Sequence, residues 1–169
     1  MRVGMTVAMM AMAMGCGDGG LSESDVRDIP PGNASGSALS GTYDLEAITV
    51  ACSGSCAPVN VFGVVISPCD VGARNEDIAL VTQTDGTLQV DVEDNLWASR
   101  LEGGVYSDGS FDIGGVKTEL GGAARFISRA TGIIDAGRWT GEIEVRSVGS
   151  FEGQSRDCTA IVEVDGERL

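Results

Sequence analysis

At 169 residues with 43% apolar content, the chain is long enough for one domain with a sizeable buried core. Its 25 acidic residues against 11 basic ones give a net charge of −14, and that surplus is spread along the sequence, which disfavours nucleic-acid binding and polybasic membrane attachment. Histidine is absent, which excludes the usual general base, the commonest metal ligand and every Ser-His or Cys-His catalytic arrangement.

Met1 and Arg2 form a minimal positive start, followed from Val3 to Met14 by an uncharged, mostly apolar run. That run is well short of the roughly 20 residues needed to cross a bilayer. It suits the hydrophobic region of an export signal, and it stops abruptly at "GCGDGG", a sequence no helix tolerates. From Gly17 to about Ser40 the chain is rich in Gly, Ser, Asp and Pro with almost no periodic apolar residues, the composition of a flexible linker. As a free coil, such a segment reaches on the order of 25 to 30 Å.

The tetrapeptide Ala13-Met14-Gly15-Cys16 resembles the lipobox of bacterial lipoproteins, with a small residue directly before the cysteine and Ala13 where leucine is usual. The resemblance implies that residues 1–15 are a signal peptide, that Cys16 becomes the lipidated first residue, and that residues 16–40 tether a domain spanning 41–169. It also implies an envelope location: Gly17 in place of Asp after the cysteine permits sorting to the outer membrane, with the domain facing the periplasm or the cell surface. Two or more acyl chains, at about 0.8 kcal/mol per buried methylene, hold a protein durably where one does not.

With Cys16 assigned to lipid, Cys52, Cys56, Cys69 and Cys158 remain, an even number that reads as two disulfides in an exported chain. A metal site is not expected, because the paired CxxC spacing is missing. Three pairings are open, and in all of them Cys158 joins a residue between 52 and 69, tying the start of the domain to its last segment. Closing so long a loop contributes about 4 to 5 kcal/mol in the chain-entropy description.

Beyond residue 41 the apolar period is two. In "TLQVDVED", Leu88, Val90 and Val92 share one face after an Asp85-Gly86 turn. Asp108-Gly109 and Ala136-Gly137 mark two further hairpins, and Cys158, Ala160, Val162 and Val164 line one face of a closing strand. Short strands are expected near 42–51, 60–67, 77–83, 87–93, 97–106, 110–117, 123–134, 138–148 and 157–164, with no convincing amphipathic helix. Successive hairpins make a meander whose ends lie apart unless the sheet curls, while the Cys158 bridge requires them to be close. The expectation is therefore an all-β fold, an antiparallel meander of eight or nine strands closed or nearly closed into a small barrel, with a two-layer β-sandwich as the alternative. In shape alone, such a fold is similar to lipocalin- and avidin-type barrels.

The sequence offers few site residues. Trp97 and Trp139 are the candidate ligand contacts, because aromatic side chains commonly line the cup of a small-molecule barrel, although core packing accounts for them as well. Asp91, Glu93, Asp94 and Asn95 read as a solvated strand end in the absence of a calcium-loop pattern, and Ser53 and Ser55 as turn residues. No catalytic residue, metal or cofactor is expected. The leading expectation is a non-enzymatic, lipid-anchored envelope protein whose β domain binds a small molecule or an envelope protein. A structural or assembly role with a filled barrel is the alternative, followed by a hydrolase built on paired carboxylates.

Overall fold

The computed structural model describes residues 20–61, 64–67, 69–92, 99–151 and 154–169. A long strand β1 (Gly41–Gly54) opens the domain, and a small hairpin of β2 (Val59–Val61) and β3 (Val64–Ile66) follows it. Seven strands then run in succession: β4 (Arg74–Thr84), β5 (Thr87–Val92), β6 (Arg100–Val105), β7 (Ser110–Glu119), β8 (Ala124–Asp135), β9 (Arg138–Phe151) and β10 (Gln154–Arg168). Each of these pairs antiparallel with the next, and β1 lies between β10 and β4, which closes an eight-stranded barrel and removes every edge of the main sheet.

The turns sit where the glycines mark them. Ala136 and Gly137 both adopt positive φ (49° and 83°) between the paired residues Asp135 and Arg138, the two-residue geometry whose twist matches that of the flanking strands. The expected strand at 60–67 is instead the β2–β3 hairpin, which pairs only with itself. The physical reason is covalent. Disulfides join Cys52 to Cys69 and Cys56 to Cys158, so the chain between Cys56 and Cys69 leaves one end of the barrel and must return to it.

Alternation sends Leu88, Val90, Ile113, Val145, Ala160 and Val164 into the barrel, where all are buried. Outward positions on β1, β9 and β10 are largely charged, among them Asp44, Glu46, Glu142, Glu163 and Asp165. An apolar lumen with a charged exterior is the reverse of a membrane-spanning barrel, whose apolar band faces lipid.

The two ends of the barrel differ. At the end bearing the 136–137 turn, Trp139 is 2% exposed and packs edge-on against Tyr43 (centroids 6.3 Å apart) and tilted against Phe111 (4.8 Å). Glycines make room for these rings: a Cβ on Gly132 would lie 2.9 Å from the Phe111 ring. Eight strands enclose a lumen only about one layer of side chains wide, so three aromatics fill it.

From Gly20 onward the segment expected to be a free linker is packed along the barrel instead. Leu21 and Val26, the latter in a single helical turn α1 (Glu23–Arg27), are buried against Ile127, Val116 and Val148 on the outer face. The chain then crosses the aromatic end, where Gly32 N–H donates to Gly86 O (2.8 Å) and Ala34 N–H to Val105 O (3.1 Å). Leu39 N–H donates to the buried Gln83 side chain, and Tyr43 OH donates to Leu39 O (2.9 Å). Composition misleads here because a strap needs few apolar anchors. Leu21 and Val26 bury its start, and backbone hydrogen bonds across Gly32 secure its middle.

Candidate functional site

The opposite end holds both disulfides and is built from diminishing side chains. Across β8, β9 and β10, Phe126, Ser147 and Cys158 form an inward row paired in register, with Phe126 its one large side chain. The next row outward is Ala124, Gly149 and Arg156, so the wall shrinks to a methyl group and a bare backbone on two strands. A side chain at 149 is precluded, because its Cβ would lie 2.3 Å from Ala123 O. The resulting pocket has a volume of about 250 Å³ and is lined by Ser55, Ala57, Ala124, Ser147, Ser155 and Arg156, among others.

Arg156 is the polar centre of this mouth. Its guanidinium donates to Ala57 O (3.0 Å), and burial pulls its pKa below the usual arginine range while leaving it charged at neutral pH. Eight other described basic side chains each lie against a carboxylate. Among the described residues Arg156 has no such partner, and Arg168, the other exception, spends its charge on Ala38 O at the strapped end. The neighbouring Asp157 points to the outer face, where Arg146 binds it through two N–H···O contacts of 2.7 and 2.6 Å and holds its carboxyl below the ordinary range.

The residues singled out from the sequence are distributed unevenly. Cys16 and Trp97 lie outside the described residues. Trp139 is a core residue of the plugged end, remote in register from the mouth, so it is not placed to touch a ligand there. The four domain cysteines form the two bridges already given, with Cys158 buried on the inward face of β10. Asp91 is tied to Arg100 and Gln89 on the barrel exterior, and both hydrogen bonds keep its carboxyl low; Glu93, Asp94 and Asn95 are outside the described residues. Ser53 is exposed on β1, while Ser55, expected only as a turn residue, lines the pocket.

The sequence reading missed Arg156, Ser147 and Ser155. A signal was present: Arg156 has the same parity as Cys158 and Ala160, so strict alternation places a charged side chain on the apolar face. Every described carboxylate with a displaced pKa is displaced downward by hydrogen bonds, as at Asp25, Asp91, Asp108 and Asp157, which is the pattern of structural pairing rather than of a general acid. Among the described residues no cluster of His, Cys, Asp and Glu has the geometry to hold a metal ion. The chain matches no protein-family model, no curated protein and no solved structure, so its own geometry carries the functional argument.

Proposed function

We propose that the protein is a lipid-anchored component of the bacterial cell envelope whose barrel binds a ligand at its disulfide-stapled mouth without performing a reaction. The observation that carries the reading is the asymmetry of the two ends. One is sealed by Tyr43, Phe111, Trp139 and the strap, and the other presents a pocket of about 250 Å³ next to both disulfides. Two disulfides favour an oxidising compartment, in agreement with export through the 1–15 signal and attachment through Cys16 at the outer membrane.

Packing of the strap alters how such an anchor would work. Only residues 17–19 separate Cys16 from the docked Gly20, and four extended steps span at most about 14 Å. The domain would therefore ride close to the headgroups, and Leu21, which packs with the mouth residue Val148, would bring the anchor out beside the pocket. Labelling with a radioactive fatty acid, compared between the native chain and Cys16→Ala, tests the anchor. Uptake by the native chain alone is expected, and no uptake by either removes the envelope assignment. A purely structural role draws support from the solid packing of the lumen; it gains ground if no small molecule binds at the mouth.

A further inference from the structure

We infer that the mouth pocket is a binding site for a small monocarboxylate, held by the guanidinium of Arg156 and the hydroxyls around it. The inference rests on the ligand-binding reading above and adds the chemistry of the ligand. Arg156 is the one described basic group in this pocket, and its single bond to Ala57 O uses one of five N–H donors. That bond steadies the planar head and leaves further donors available for two carboxylate oxygens. Among the described residues no carboxylate lies against Arg156, and a half-buried guanidinium gains from an anionic partner.

The surroundings narrow the class. Ser55, Ser147 and Ser155 line the same pocket as Arg156, and Ala57 and Ala124 add apolar surface to it. A volume of about 250 Å³, just under the usual range for small-molecule pockets, suits a small ligand. One positive charge in a chain of net −14 neutralises a single negative charge, which favours a monoanion over a phosphate dianion. Arg156 donates one bond to a loop carbonyl at the rim, and its partner in register on β9 is the bare backbone of Gly149. A charged residue on the inward face of β10, with small residues around it, is the pattern of a ligand anchor.

The test is calorimetric titration and amide NMR on the full-length oxidised chain, using benzoate, its neutral isostere benzamide, and inorganic phosphate. Benzoate is expected to shift the amides of Ser55, Ser147 and Ser155 saturably, and to bind at least tenfold tighter than benzamide or phosphate. Arg156→Gln, which keeps a donor for Ala57 O, should weaken benzoate at least tenfold with an unchanged Tm, and Arg156→Lys should retain part of the affinity. Equal binding of benzamide at the mouth overturns the carboxylate assignment while sparing the ligand-binding reading. Tighter binding of phosphate, or benzoate binding indifferent to Arg156→Gln, likewise overturns it. If none of the three probes perturbs the mouth, both fall.

Discussion

The two disulfides close loops of very different length, and that difference yields a quantitative expectation. Cys56–Cys158 spans 102 residues and Cys52–Cys69 spans 17. Loop-closure entropy scales with the logarithm of loop length, giving about 4.7 kcal/mol for the long bridge and about 3.1 kcal/mol for the short one. Replacing both cysteines of one pair by alanine, with the other bridge intact, should therefore destabilise the long-loop variant by about 1.6 kcal/mol more than the short-loop variant. Cys158 is buried, so loss of its sulfur adds a void worth under about 1 kcal/mol in the same direction. Urea unfolding followed by circular dichroism measures both variants. With a slope of about 2 kcal/mol/M, their midpoints should lie about 0.8 M apart, the long-loop variant unfolding first. Equal costs, or a larger cost for Cys52→Ala/Cys69→Ala, would refute the view that the bridges act by restricting the unfolded chain. It would point instead to local support of the mouth.

Three other perturbations test the strap, a turn and an ion pair. In Gly32→Ala the new Cβ would meet Val105 O at 2.0 Å, so the strap must lift from the barrel end. Faster hydrogen exchange across residues 32–40 and a loss of about 2 kcal/mol are expected, and unchanged protection there would contradict the packing described. Ala136 holds φ of 49° without a side chain that tolerates it, so Ala136→Asn should stabilise the hairpin by about 0.5 kcal/mol, read as a rise in Tm. Arg146 bonds Asp157 and also donates to the carbonyls of Gly20 and Leu21 (both 3.1 Å), which makes the pair a latch on the strap. Because the folded Asp157 carboxyl is held low, its contribution is complete above the unfolded pKa of about 3.9 and disappears as pH falls through the folded value. Asp157→Asn should thus lower stability at pH 7, by no more than about 1 kcal/mol for so exposed a pair, and the gap should close in acid. A gap that persists at pH 2 would exclude an electrostatic origin.

The barrel was legible because its determinants are local or covalent. Period-two alternation in β5 and β10, two-residue turns at Asp85-Gly86 and Ala136-Gly137, and the parity of Cys158 each depend on a few adjacent residues, and closure follows from one obligatory long disulfide. The role of Trp139 was not legible. An aromatic at a strand start is equally compatible with a cup and a plug, and only the convergence of Tyr43, Phe111 and Gly132 from other strands selects the plug.

Fold class and the need for a bridge from Cys158 were thus decided by the chain itself, through steric periodicity and covalent bookkeeping. Tertiary structure decided which end of the barrel is sealed, that residues 20–40 lie against the barrel, and that Arg156, without a carboxylate partner among the described residues, sits among small neighbours. Those features arise between segments far apart in sequence, 126 residues in the Arg146 bond to Gly20 and 130 in the Arg168 bond to Ala38, where packing and desolvation are set by the whole assembly rather than by any local run of sequence.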